Sequence, residues 1–414
     1  MKKVYIGLIC FIIALFSYLL VNNKSTSKDL SSNINPSNIK LDENYIDVNL
    51  TAVGDILVHE TQLLSQYNEV TKSYDFTSYF NEIKPYISNS DFSIANIETS
   101  LGGKEKTYSG YPLFNTPDEI LYALKKSGFN MVTAANNHIL DRGTDGLIRS
   151  AKTIKNHNLD LVGIKDTENS KTYLIKNIKG INIGFSNFVF ETPMNKGNKT
   201  INSIVLDKNA EKLIDTFDPS NMEETLNKLK KRVNTMKKEG AEVLVFYMHW
   251  GDEYNSKPNA YQISIAKALN DYGVDVIIGS HPHVIQPMEF LYSSKTSKET
   301  LVAYSLGNFI SNQRYDIVKK EGTEDGVILN FTIRKSLDDN SIKINKVDYI
   351  PTWVNKTPIG EEKYSYSIIP LHEEISEITS KYNKETLGKI NASRRNTVNI
   401  MESFNSRFTV APLK

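Results

Sequence analysis

Short apolar runs of β type alternate with helical stretches from Tyr45 to Ile333, and this alternation restricts the chain to a layered α/β fold. Val48–Val53 reads as a buried strand. Helices are predicted near Thr77–Ile87, Asp118–Ser127, Thr144–His157, Met222–Glu239 and Ala260–Tyr272. Strands are predicted between them at Phe92–Ile97, Met131–Ala134, Ile181–Phe185, Val243–Tyr247 and Val274–Ile278, with more at Thr300–Tyr304 and Val327–Ile333. Beyond Lys335 come one strand-like run (Ile342–Ile350), a turn-rich loop and polar helical segments from His372 onward. Residues 336–414 are expected to form a C-terminal appendage to a catalytic-type domain over 45–335, not a second such domain.

The N-terminus has its own logic. Met1-Lys2-Lys3 is a short basic start, and Val4 to Val21 runs without a charge. Eighteen helical residues rising about 1.5 Å each span roughly 27 Å, close to a bilayer core. No small-residue cleavage site follows, so residues 1–21 are expected to be an uncleaved transmembrane anchor. Lys2 and Lys3 favour an inside N-terminus, which puts the remainder outside the cytoplasm. Residues 22–44, rich in Ser, Asn and Lys, read as a flexible tether.

Composition then excludes several functions. Lys plus Arg is 49 and Asp plus Glu is 48, so no basic excess exists to hold nucleic acid. Cys10 is the only cysteine, so no intramolecular disulfide and no Cys-based zinc site can form. There are seven histidines, and five of them fall in clusters that follow apolar strands.

Those clusters are Gly54-Asp55 with His59, Asn96-Ile97-Glu98, Asn136-Asn137-His138, His249-Trp250-Gly251-Asp252 and Gly279-Ser280-His281-Pro282-His283. Each alone has a plain reading as a turn, a cap or a packing pair. Following five strands of an α/β sheet, they point to one crevice, because the carboxyl ends of strands line the ligand site. Carboxylate, amide and imidazole together suit divalent transition metals. His157 and His372 follow no strand end and are expected at the surface. Arg142 and Lys257, just past two of the clusters, are candidates for contacting a carboxylate-rich or phosphorylated substrate. The loop Tyr108–Pro117 is a candidate rim of the crevice.

The series Gly-Asp, Asn-x-Glu, Asn-Asn-His, His-Trp-Gly and Gly-x-His-Pro-His, closed by Tyr-Ser-Leu-Gly-Asn-Phe at Tyr304 to Phe309, resembles the CapA family of poly-γ-glutamate capsule biosynthesis proteins, also called PgsA. The resemblance covers about Asp47 to Ile333. It implies a four-layer α/β/β/α sandwich like that of calcineurin-like metallophosphatases. It also implies metal positions at Asp55, Glu98, Asn137, His249, His281 and His283, with Glu98 bridging and His138 as the acid beside the metals. Manganese, zinc or iron would be the cofactor. A poly-γ-glutamate-like polyanion, the membrane and capsule synthesis membrane proteins of the CapB and CapC type would be the partners.

Two departures from the wider superfamily stand out. The usual Asp-x-His opening is Asp55-Ile56-Leu57 here, with His59 as a possible substitute for the missing ligand, and the usual Gly-Asp-x-x-Asp is replaced by Asn-x-Glu. Three functions remain open on the sequence: a component of polymer synthesis and export, a metallohydrolase acting on phosphoester or polyglutamate amide bonds, and a metal-poor scaffold.

Overall fold

The computed structural model describes residues 44–372, 382–404 and 407–411. The expected anchor, and all of the expected tether except Asn44, lie outside the described residues. Among the described residues no helix is long and apolar enough to cross a membrane.

The first half of the chain runs β1 (Tyr45–Ile56), α1 (Glu60–Gln66), α2 (Lys84–Ser88), β2 (Phe92–Ile97), α3 (Glu119–Lys126), β3 (Met131–Thr133), α4 (Gly143–Asn156) and β4 (Asp160–Val162). There follow β5 (Leu174–Ile178), β6 (Ile181–Phe190), β7 (Thr216–Phe217), α5 (Met222–Lys238), β8 (Val243–His249), α6 (Ala260–Tyr272), β9 (Val276–Ser280), β10 (Ile285–Ser293) and β11 (Lys298–Leu306). The chain then supplies β12 (Asn308–Ile310), β13 (Asp325–Ser336), β14 (Ile342–Pro358), β15 (Tyr364–Pro370), α7 (Lys384–Met401) and β16 (Thr409–Val410).

Two large sheets result. The first has the order β15-β14-β13-β1-β2-β3-β4, with β12 beside β1 and β16 beside β14. The second has the order β7-β6-β8-β9-β11-β10, with β5 beside β6. Strands β1 to β4 are mutually parallel, as are β6, β8, β9 and β11. Alternation along each strand sorts side chains between layers. In β8, Val243, Val245 and Tyr247 join Leu50, Ile94 and Ile278 in a core between the sheets. Leu244, Phe246 and Met248 instead meet Leu229 and Val233 of α5 and Ile265 and Leu269 of α6. On the first sheet, Ala95 and Ile97 pack with Leu121 and Leu124 of α3 and Leu147 and Ile154 of α4. The layers are therefore helix, sheet, sheet, helix. Strands buried on both faces explain the unbroken apolar runs in the sequence.

Two expectations change. Thr77–Ile87 is not one helix: a 3-10 turn over Thr77–Phe80 is followed by the short α2, whose second residue is Pro85. Proline lacks the N–H that a continuous helix needs and fits only a first turn. The stretch after Lys335 does not stand apart. β14 pairs antiparallel with β13 from Asp325↔Trp353 to Lys335↔Ile342, β15 pairs with β14, and the described residues from Ile46 onward form one compact unit.

Candidate metal centre

Strand register sets the polar residues side by side. Asp55, the penultimate residue of β1, pairs with Asn96 of β2 on one side and Asn308 of β12 on the other. His249, the last residue of β8, pairs with Ser280 at the end of β9. Two glycines permit this closeness. A Cβ at Gly54 would lie 2.0 Å from the Gly307 carbonyl oxygen, and one at Gly279 would lie 1.8 Å from that of Tyr304. The Asp55 N–H donates to the same Gly307 carbonyl at 2.9 Å, so the glycine before Asp55 fixes where its carboxylate starts.

The first sheet contributes the oxygen donors. Asp55 is fully buried, and its Oδ1 accepts from Asn96 Nδ2 at 2.8 Å while its Oδ2 accepts from the His281 N–H at 3.2 Å. Burial pushes its carboxyl up, but His283, His249 and Asn96 hold it below the ordinary carboxylate value. Glu98 is the opposite case. It is fully buried, yet neither carboxylate oxygen accepts a hydrogen bond. His249 Nε2 and His283 Nε2 each stand 3.5 Å from its Oε1. Burial first, then the charges of Asp55 and Glu253, hold the Glu98 carboxyl well above its usual range.

The second sheet contributes imidazoles. His249 Nδ1 meets Ser280 Oγ at 2.9 Å, and its Nε2 lies 2.8 Å from Asn137 Oδ1. Burial pushes His249 down to about 3, and burial with the neighbouring imidazoles holds His281 well below its ordinary value. Both rings are therefore neutral at pH 7, the form that binds metal. His281 Nδ1 is buried without a hydrogen-bond partner. His281 and His283 adopt φ of +95° and +56°, conformations that cost on the order of 1–3 kcal/mol each in non-glycine residues. Such strain persists where the surroundings enforce it.

These groups fit a divalent metal. Donor atoms of Glu98, His249 and His281 lie within 4.8 Å of one another, and so do those of Asp55, Glu98 and His283. Glu98 belongs to both sets, and Asn137 adds an amide oxygen beside His249. A cation there would satisfy Glu98 and His281, whose buried, unpaired atoms otherwise cost on the order of 1–3 kcal/mol or more each.

Above the cluster opens a cavity of about 650 Å³, whose wall includes Asn137, His138, Glu253, Tyr254 and His283. His138 is buried, and its Nδ1 binds Asp141 Oδ2 at 2.8 Å. That carboxylate also accepts from the Phe114 N–H at 2.6 Å, and the Phe114 ring packs edge-on against His138 at 4.6 Å. Tyr111, Pro112 and Leu113 line the cavity, so part of the loop Tyr108–Pro117 does rim it.

The structure thus brings Asp55, Glu98, Asn137, His249, His281 and His283 together, with His138 at their edge. It does not bring the others to the metal donors. His59 caps α1, and its Nδ1 accepts from the Asn312 N–H at 3.2 Å, so it contacts the cavity without joining the donor set. Arg142 donates from Nη2 to the Leu113 carbonyl at 2.9 Å and to Ser109 Oγ, bracing the rim loop, and it lines a separate cavity of about 580 Å³. Lys257 is exposed, and its backbone is what the structure uses: its carbonyl accepts from Gln286 Nε2 at 3.1 Å. His372 is buried, not at the surface, and its Nε2 meets the Tyr86 hydroxyl at 2.5 Å. Asp141 and Glu253 were not singled out by the sequence, and Asn308 stood there only as part of the Tyr304–Phe309 motif. For Asp141 a signal existed, since it lies three residues after His138 in a turn, where the two side chains can meet.

Sequence comparison leads to capsule synthesis proteins. The profile of the family described as "Bacterial capsule synthesis protein PGA_cap" matches residues 49–313. The Bacillus anthracis protein described as "Capsule biosynthesis protein CapA" is 30% identical over 314 residues, a match covering 73% of this chain and 66% of that protein. The Bacillus subtilis (strain 168) "PGA biosynthesis protein CapA" is 27% identical over 345 residues, covering 81% of this chain and 78% of that one. Among solved structures, a phosphatase from Mycoplasma pneumoniae superposes with a TM-score of 0.40 at 15% identity, covering 74% of this chain and 93% of that chain.

Proposed function

The chain belongs to the bacterial capsule synthesis protein family, and on that premise we propose that it is a membrane-anchored, extracytoplasmic protein of metallophosphatase-like fold that takes part in poly-γ-glutamate capsule synthesis or export through a divalent metal centre. The observation that carries the metal reading is Glu98, common to two converging donor sets with both oxygens buried and unpaired. Asp55, Glu98, Asn137, His249, His281 and His283 would hold one or two divalent ions, manganese, zinc or iron. When bound, such an ion supplies Lewis-acid polarisation of a phosphoryl or carbonyl oxygen.

The chain's own residues do the rest. Asp141 occupies His138 Nδ1, which leaves Nε2 as the atom that gives or takes a proton at the substrate. The cavity wall carries the amides of Asn137, Asn202, Asn312 and Gln313 beside the apolar Leu113 and Val318, and no lysine or arginine is among its described residues. Such a wall suits an amide-bearing chain and offers no side-chain cation to negative charge on it. The polymer and capsule synthesis membrane proteins of the CapB and CapC type are the partners in this reading, and the uncharged run from Val4 to Val21 supports the anchor.

The test is deletion of the protein, followed by quantification of surface polymer and complementation with wild type or His281→Ala/His283→Ala. Loss of polymer restored only by wild type is the expected result. Full restoration by a metal-free double variant would leave a scaffold role instead. Protease added to intact protoplasts should digest the body, and protection would overturn the orientation.

A further inference from the structure

We propose that Glu253 is an additional metal ligand, a carboxylate that closes the donor cluster on its cavity side; this rests on the metal centre proposed above. The need arises at β1. Leu57 follows Asp55 by two residues and offers no donor, and His59, the next histidine along the chain, is in none of the converging donor sets. An ion held by Asp55, Glu98 and His283 would therefore gain from a further protein donor.

Glu253 offers this donor. A carboxylate oxygen of this exposed residue lies within 4.8 Å of donor nitrogens of both His281 and His283, making a third converging set that shares His283 with the set of Asp55 and Glu98. His281 is 4% exposed and its Nδ1 has no hydrogen-bond partner, so an unsatisfied imidazole belongs to this same set. Glu253 also lines the cavity, and no lysine or arginine of the cavity wall neutralises it.

The segment bearing it is tied to the histidines it would join. The next residue, Tyr254, donates its N–H to the carbonyl of Pro282, between His281 and His283, at 2.7 Å. Gln286 Nε2 donates to the carbonyls of Asn255 and Lys257 at 2.8 and 3.1 Å, and Gln286 Oε1 accepts from Gln262 Nε2 at 2.8 Å. Gln262 and Gln286 are fully buried. Gly251, at φ +92°, lies against Gln262, where a Cβ would come within 2.8 Å of Oε1. The loop backbone is thus held against the histidine segment, so the ordering that remains on binding is that of the Glu253 side chain. With Glu98 and Asp55 it makes three carboxylates, an oxygen-rich set that moves preference toward manganese over softer-site metals.

The test is titration of purified full-length protein with Mn²⁺ alone, reading stoichiometry and affinity by calorimetry and spin coupling by electron paramagnetic resonance. Wild type should take up two ions. Glu253→Ala and Glu253→Gln should lose one of them, or bind it at least the roughly 10–100-fold more weakly that removing even an outer partner of a ligand costs. The other ion should remain, and circular dichroism should be unchanged. Glu253→Asp should recover part of the lost affinity. Two ions bound with wild-type affinity by both Glu253→Ala and Glu253→Gln would overturn the ligand role while leaving the metal centre standing. Absence of any Mn²⁺ binding by wild type would overturn the centre itself, and this proposal with it.

Discussion

The two sheets bring opposite chemistry to the same crevice. The first supplies Asp55, Glu98 and the amide of Asn137, and its electrostatic problem is excess negative charge: burial and its neighbours keep the Glu98 carboxyl far above its ordinary value. The second supplies His249, His281 and His283. There the problem is the reverse, since burial pushes His249 down to about 3 and holds His281 well below its usual range. Neither half is comfortable alone. A cation placed between them would let Glu98 ionise and would accept lone pairs from neutral imidazoles, so that each sheet's liability would become a donor set. The first way to break this pairing is also the most severe. His281→Ala/His283→Ala removes two of the three imidazoles of the centre, and elemental analysis should find no stoichiometric metal. Retained metal would mean that the oxygen half with His249 suffices.

The next largest effect tests the residue at the edge of both halves. His138→Ala should reduce turnover, read as polymer output, by about 10²–10⁴-fold, the usual scale for general acid–base catalysis. Metal content should stay near wild type, because the His138 Nδ1 faces Asp141. If the ring only braces its loop, melting temperature and metal content fall together instead.

The halves also differ in how pH acts on the metal-free protein. A histidine held at about 3 in the fold and about 6.5 unfolded contributes stability that is present above pH 6.5 and lost as pH falls toward 3. The loss approaches about 1.4 kcal/mol per pH unit for each such histidine. Glu98 has the opposite sign. Its folded value is raised, so its contribution is present below the unfolded carboxyl range and lost as pH rises through the folded value. Chelated Glu98→Gln should therefore melt above chelated wild type at neutral pH, yet fail to gain stability when metal is added. A chelated Glu98→Gln no more stable than wild type would show that the buried carboxylate finds other relief.

How much of this was legible follows from the same contrast. The donor residues sit at strand ends, and their strands are marked by local apolar runs, so β2 and α6 were read to the residue. What pairs with what is not local. β14 extends the first sheet through hydrogen bonds to β13, and β15 through hydrogen bonds to β14, and nothing in the stretch after Lys335 states those partners. Pro85 did mark the break in the Thr77–Ile87 segment, but an apolar pattern over the whole stretch outweighed it. At the site, residue type plus strand-end position located the five clusters, and the family resemblance picked the six donors out of them, whereas Glu253 lies in a loop held near the histidines by bonds such as that from Tyr254 to Pro282. The cations misled for a related reason. Arg142 and Lys257 follow donor motifs in sequence, but side-chain direction, not proximity along the chain, decides what they touch.

The two cations give the finest comparison. Arg142 is half-buried, its guanidinium ties Leu113 and Ser109 into the rim loop, and its carbonyl accepts from Lys106 Nζ at 2.7 Å. Arg142→Ala should cost about 1–3 kcal/mol through the rim's lost partners and lower polymer output through a displaced rim, with metal content unchanged. Lys257 is exposed, and the loop is held by its backbone carbonyl, which survives substitution. Lys257→Ala should therefore shift stability by no more than about 0.5 kcal/mol, the usual range for a surface change. Polymer output should equal wild type at low and high salt alike. Salt matters because a long-range attraction for a polyanion would show most at low ionic strength, where screening is weakest. A loss of output at low salt would return Lys257 to the substrate path as a steering charge, and the cavity's amide wall would then be only part of how the polymer is held.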